Sequence, residues 1–310
     1  MKLATYVHDG KPSYGVVTDG GIIDVPAAWP DGPGSLLAAL EAGGGALARI
    51  AGLTRTAGGR IALETVRLLA PIPHPPKVFG LAVNYARHHA ECARGSDLPE
   101  DTKRRTTPRP FLMPHTAVIG PGAEIPWPAS SREIDYEVEL AVVIGSTAKC
   151  VTPEQAAAHV AGYTIANDVS ARSATHADGR AQRDKDAFFD WLHGKWADGF
   201  CPMGPWLVTA DEVPDPQALD LELAVNGDLR QGANTREMIF TVFELVSFLS
   251  RLVTLVAGDV IATGTPAGVG LADGRFLEGG DTITCRIEGI GELTNTLGRP
   301  PESFYRPCAT

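Results

Sequence analysis

With 310 residues, 44% apolar and 21% charged, the chain has the composition of a folded globular protein and the length for a sizeable core. The net charge of −10 arises without a long acidic run and speaks against a phosphate-backbone partner, so nucleic acid is not expected. The start MKLATYVHDGKPSYGVV lacks a secretory apolar core, no segment reaches the ~18 apolar residues of a membrane span, and five scattered cysteines form no CxxC pair; a cytoplasmic, membrane-free protein with reduced thiols is expected.

Residues 1–70 alternate like short strands, with Leu3, Thr5 and Val7 opposite Ala4 and Tyr6, a turn at Asp9-Gly10, and further runs at 14–17 and 22–25 on either side of Gly20-Gly21. Ser35 is placed to cap a short helix of Leu36, Leu37 and Leu40. The proline cluster at 71–76 continues neither kind of element, which divides the chain into a small β-rich N-terminal domain, 1–70, and a larger domain, 71–310. After an apolar strand candidate at 78–83, residues 86–109 are polar and have no core face, predicting a short helix and then a mobile, lid-like loop.

Farther on, Thr152-Pro153-Glu154-Gln155 fits a capping box with proline at the first helical position, and Gly162 is read as the end of that helix. The best helical period runs over 236–255, where Val242, Leu245, Val246, Leu249 and Leu252 continue a face begun by Met238 and Ile239. Strand-like runs at 137–144, 163–166, 221–225, 260–263 and 282–288, without βαβ spacing or internal repeat, predict a mixed, mainly β class with a few packed helices.

The segment Asp135-Tyr136-Glu137-Val138-Glu139-Leu140 is the most informative. Side chains alternate across a strand, so Glu137 and Glu139 share one face while Val138, Leu140, Val142 and Ile144 take the other. Two carboxylates at the head of an apolar strand repel each other and lose hydration unless a cation lies between them. A generic ExE is more often a solvated edge, but the apolar run 140–144 argues against that here. Asp168, at the end of the run 163–168, is a third carboxylate. Such a set leaves half an octahedron for water and a chelating substrate, which suits Mg²⁺ or Mn²⁺.

Five segments in collinear order resemble one family: Asn84-Tyr85 with His88 and Glu91 (NYxxHxxE), residues 135–145 (DYExELAVVIG), residues 167–172 (NDVSAR), Gly194-Lys195 with Asp198 (GKxxD), and residues 263–270 (TGTPxGVG). From about Lys77 to Gly270 the chain resembles the fumarylacetoacetate hydrolase family. The resemblance implies a mixed sandwich-roll catalytic domain, usually a homodimer, with Mg²⁺ or Mn²⁺ on Glu137, Glu139 and Asp168. It implies a small 2-oxo or 2,4-dioxo acid as substrate, in aromatic or sugar-acid catabolism, and leaves the reaction open.

Within that frame, His88 and Glu91 lie three apart on a helical turn, so the carboxylate can orient an imidazole base; alone, HxxE is more often an exposed ion pair. His89 is assigned to the solvent side. Lys195, read as flanked by Trp191 and Trp196, suits a developing oxyanion or enolate. The hydroxyl of Thr265 and the amides of its glycine-rich loop suit a carboxylate or carbonyl oxygen, and Tyr85 and Arg172 are further substrate contacts. Two departures fall on the substrate side: Arg172 is followed by Ser173-Ala174-Thr175-His176 where the family often reads ARDxQ, and the common FxK is Phe111-Leu112-Met113. The leading expectation is hydrolysis of a C–C bond in an acylpyruvate- or fumarylpyruvate-like acid. The rivals are oxaloacetate decarboxylation or tautomerisation, isomerisation of a muconate-like dioxo acid, and metal-dependent binding without turnover.

Overall fold

The computed structural model describes residues 1–92, 106–174, 181 and 183–304. Most of the loop read as a lid, and Thr175-His176, lie outside the described residues. β1 (Lys2–His8) and β2 (Lys11–Thr18) form a hairpin through Asp9 and Gly10, both at positive φ (49° and 74°), the reversal that suits aspartate and glycine. β3 (Gly21–Asp24) adds to it, and Ser35 accepts the Ala38 N–H to start α1 (Leu36–Glu41), followed by α2 (Gly44–Thr56).

The rest comprises β4 (Val78–Leu81), α3 (Ala86–Cys92), β5 (Pro110–Met113), β6 (Val138–Ile144), α4 (Pro153–Ala156), β7 (Val160–Asn167), α5 (Asp186–His193) and β8 (Cys201–Thr209), with several shorter pieces. Then come β9 (Asp220–Val225), β10 (Asp228–Asn234), α6 (Val242–Leu252), β11 (Val260–Ala262), β12 (Thr282–Ile287) and β13 (Gly291–Leu297). An 11-stranded sheet runs β3-β2-β1-β8-β7-β6-β11-β4-β5, with two short strands off this path. A five-stranded sheet runs β10-β9-β12-β13 and ends on Glu124–Ile125. The mainly β class is thus borne out.

β6 lies at the centre. Its Leu140 and Val142 pack with Ile165 against Leu221, Leu223 and Ile283 of the second sheet. Its Ala141 and Val143 pack on the other side, in a core that also holds Leu3, Val16, Leu36 and Ile50. Burial on both faces is why this strand reads as a continuous apolar run. The N-terminal strands extend the large sheet through β1 on β8 and share that second core.

Two helix boundaries differ from the sequence reading. The Thr152 capping box is present, but its helix is short and β7 begins at Val160. Gly162 therefore lies inside a strand, where a Cβ would come 2.0 Å from the Val208 carbonyl oxygen; close strand contact, not a helix stop, demands glycine there. The long helix starts at Val242 rather than Arg236, since Thr241 and Glu244 make their own reciprocal capping box and Thr235–Glu237 is a separate 3₁₀ turn. Thr241→Ala is expected to lower stability by about 1 kcal/mol, read as a shifted urea midpoint at unchanged slope. Among the described residues no helix is long and apolar enough to cross a membrane.

Candidate active site

Strand register brings the acidic residues together. β6 and β7 pair with Glu139 opposite Ala166 and Val138 opposite Asn167, and the Asp168 N–H donates to the Glu137 carbonyl oxygen at 2.9 Å. Glu137, Glu139 and Asp168 then share one side of the pair, with the small Ala166 leaving room beside them. One oxygen from each lies within 4.8 Å of the others, and all three residues are buried.

Two cations are built into this cluster. Lys195 Nζ donates to Glu137 Oε2 at 2.8 Å and to Asp168 Oδ2 at 2.7 Å. Arg172 bridges Glu137 Oε1 and Asp135 Oδ2, the latter at 2.8 Å. Four buried carboxylates thus face two cations, leaving a formal deficit of two positive charges. Burial pushes the Glu137 carboxyl up, but Lys195 and Arg172 outweigh it and hold it down at about 2. Burial together with the Glu137 charge raises Asp168 to about 7 despite Lys195. Burial, then the charges of Asp168 and Glu137, hold Glu139 well above the ordinary carboxylate range. The desolvation of Lys195 is outweighed by Asp168 and Glu137, so its ammonium is retained.

A hard divalent ion fits this donor set. Glu139 Oε1 and Asp168 Oδ1 are buried without a hydrogen-bond partner, and an orphaned carboxylate oxygen in a core calls for a cation. The missing charge also matches a dication. Because Asp168 and Glu139 are raised, the metal-free site carries protons that a cation must displace. Affinity for Mn²⁺ is therefore expected to rise from about pH 5 to about pH 8, with proton release visible by calorimetry in buffers of different ionisation enthalpy.

The glycine-rich loop after β11 is tied to the same residues. Gly264 N donates to Glu139 Oε2 at 2.7 Å, and the positive φ of Gly264 (94°) lets it lie against Asn84, whose Cβ would be 2.7 Å from any added Cβ. Asn84 in turn donates to the Thr263 carbonyl at 2.8 Å, so two of the sequence motifs meet at this one side chain. Thr265 Oγ1 donates to the Val138 carbonyl at 3.0 Å and accepts from Gln231 Nε2 at 2.9 Å, which commits its proton to the scaffold. Gly268 N donates to Glu91 at 2.9 Å, and Glu91 Oε2 lies 3.3 Å from His88 Nδ1.

A cavity of about 450 Å³ opens over the cluster. His88, Glu137, Asp168, Arg172, Lys195 and Thr265 line its polar end, so six of the nine predicted site residues meet there. Glu139 and Glu91 are not among the lining residues, but Glu139 belongs to the acidic cluster and Glu91 contacts His88. Tyr85 is not among the lining residues; it is buried, with its hydroxyl unpartnered and its pKa raised by burial and by Glu139. Two further readings are corrected. Lys195 is flanked by Phe111 and Trp191, with ring centroids 5.8 and 6.0 Å from Nζ, while Trp196 is 41% exposed and bonds to the Leu112 carbonyl. His89 is half-buried beside a small cavity near Asn84, not on the solvent side.

Three supporting residues escaped the sequence reading. Asp135 accepts from Arg172 and from the amides of Gly270 (2.6 Å) and Leu271 (3.0 Å), Gln231 joins the second sheet to Val138 and Thr265, and Asn167 Oδ1 holds the Glu137 amide. Asp135 lies inside the DYExELAVVIG segment, but Arg172, Gly270 and Leu271, which it joins, are 37 residues and more away. Asp135→Asn is expected to weaken metal binding roughly 10–100-fold by freeing Arg172, measured by Mn²⁺ titration.

A mainly β scaffold holds three buried carboxylates, a lysine and a histidine–glutamate pair at one cavity, a donor set that could hold a divalent ion. The chain belongs to the fumarylacetoacetate hydrolase family: the model for the fumarylacetoacetate (FAA) hydrolase C-terminal region matches residues 77–298, and the Rv2993c-like N-terminal model matches residues 1–71. Oxaloacetate tautomerase FAHD2B, mitochondrial, of Bos taurus is 40% identical over 280 residues, covering 90% of this chain and 84% of that protein. Maleylpyruvate hydrolase from Sphingobium sp. SYK-6, solved with manganese(II) and pyruvate, superposes with TM-score 0.77 at 32% identity over 97% of this chain and all (100%) of that one. A 5-carboxymethyl-2-hydroxymuconate delta-isomerase from Mycobacterium smegmatis gives TM-score 0.72 at 34% identity, with 97% and 100% covered. These relatives are enzymes of three reaction types on small acids.

Proposed function

We propose that the protein is a divalent-metal-dependent hydrolase cleaving the C–C bond of a 2,4-dioxo acid of the acylpyruvate or fumarylpyruvate type, with Mg²⁺ or Mn²⁺ on Glu137, Glu139 and Asp168. The observation that carries this reading is the His88–Glu91 pair facing a cavity floored by the acidic cluster. When bound, the ion supplies Lewis acidity to the 2-oxo acid head. Glu91, fixed by the Gly268 amide, orients His88 to take a proton from water. The hydroxide adds to the distal carbonyl carbon, the bond between that carbon and the methylene breaks, and the electron pair passes to the pyruvate enolate. Lys195, held protonated by two carboxylates, offsets the negative charge. Protonation of the enolate carbon gives pyruvate and the carboxylic acid. Arg172 and Thr265 bound the substrate head, while Tyr85 is not among the residues that line the cavity. Residues 71–310 carry this chemistry, with 1–70 as an appended β-rich domain, in a cytoplasmic homodimer without nucleic-acid or membrane partners.

A second reading, keto–enol tautomerisation, is favoured by the 40% identity to an oxaloacetate tautomerase. It uses the same base to move a proton between carbon and oxygen without water addition. Incubation with Mg²⁺ or Mn²⁺ and acetylpyruvate separates the readings. Hydrolysis removes the enol absorbance and releases acetate and pyruvate in equal amounts. Faster enol–keto relaxation of oxaloacetate with no acid released supports the tautomerase, and ligand-induced thermal stabilisation without either supports a binding protein.

A further inference from the structure

Beyond its polar end, the cavity is walled by Leu81, Phe111, Phe188, Trp191 and Leu271. The wall is continuous: Phe111 meets Trp191 edge-on at 5.1 Å between centroids, and Trp191 meets Phe188 at 5.9 Å. It begins at the catalytic charges, since Phe111 and Trp191 both lie within about 6 Å of Lys195 Nζ. Its outer members are open to solvent, with Phe188 53% and Leu271 46% exposed. Large apolar side chains clustered at a cavity mouth mark a surface that a ligand covers.

From this arrangement, and resting on the hydrolase reading above, we infer that the acyl part of the substrate is an uncharged aryl or extended alkyl group laid against the Phe111–Trp191–Phe188 wall. A 2,4-dioxo acid whose head sits at Glu137, Asp168 and Lys195 directs its distal substituent along this wall. The competing feature is Arg109, a lining cation suited to a substrate ending in a carboxylate. Arg109 is exposed, so water screens its charge, whereas the wall offers contiguous aromatic faces beginning beside the reacting atoms. Contact area therefore outweighs the single screened charge.

The test compares kcat/KM for acetylpyruvate, benzoylpyruvate and fumarylpyruvate with the Mn²⁺-loaded full-length protein. Benzoylpyruvate is expected to exceed both others by at least about tenfold, the usual return on filling an apolar pocket. Phe188→Ala and Leu271→Ala are each expected to reduce the benzoyl-to-acetyl ratio several-fold, with melting temperature and sedimentation recorded alongside. Turnover of acetylpyruvate with no benzoyl preference, or a preference for fumarylpyruvate, overturns this inference and leaves the hydrolase reading standing. An unchanged ratio in Phe188→Ala accompanied by a change in sedimenting mass also overturns it, assigning the face to a second copy of the chain. Absence of turnover with all three overturns the hydrolase reading itself.

Discussion

Glu139→Gln is expected to abolish useful binding of Mg²⁺ or Mn²⁺, with affinity falling beyond the 10–100-fold typical of second-sphere changes, and to take turnover with it. The side chain is fully buried; Oε2 accepts from the Gly264 amide and Oε1 has no partner. Glutamine can still accept that amide bond but offers no anionic oxygen to an ion. The metal-free variant is expected to fold as well as the parent or better, because burial and the neighbouring carboxylates oppose charge at this position. The pH dependence follows from the direction of the shift. A carboxyl whose folded pKa is raised favours folding while protonated, and that contribution is lost as pH rises above its unfolded value. In excess chelator the parent is therefore expected to lose thermal stability across this range relative to Glu139→Gln.

His88→Ala is expected to retain the metal and lose about 10²–10⁴-fold in kcat, the usual worth of a positioned general base. His88 is within hydrogen-bonding distance of Glu91 at 3.3 Å and is not one of the three candidate ligands. Mn²⁺ affinity by calorimetry and kcat with acetylpyruvate separate the two roles. Full hydrolysis by the variant removes His88 as the base. Glu91→Gln is expected to lose less, because the Gly268 amide still positions the side chain.

Local periodicity was enough to place Glu137 and Glu139 side by side, since the two-residue repeat of a strand puts them on one face whatever the tertiary fold. Asp168 could be added because it ends an alternating run, and the register of β6 with β7 realises that expectation. Charge balance was less legible. The Arg172 bridge to Asp135 and Glu137, and the contact of Lys195 with two carboxylates, depend on approaches across 27 to 58 residues that no local pattern encodes. Arg172 and Lys195 line the cavity, and the structure adds what no local pattern shows, that both are also tied to the carboxylates. Gln231 carried no signal at all, being one polar residue on a hairpin strand. The start of α6 was readable from Thr241-x-x-Glu244, but the apolar residues Met238 and Ile239 extended the apparent period across a real break. Gly162 stands out in the sequence but the reason for it does not, because a neighbouring strand's carbonyl is invisible there.

The proposed function rests on Glu137, Glu139 and Asp168 gripping one divalent ion. Crystals grown with Mn²⁺ and measured near the manganese edge test it directly. A single strong anomalous peak at coordination distance from one oxygen of each carboxylate is expected. A peak elsewhere, or an acidic cluster left without manganese at saturating concentration, contradicts it.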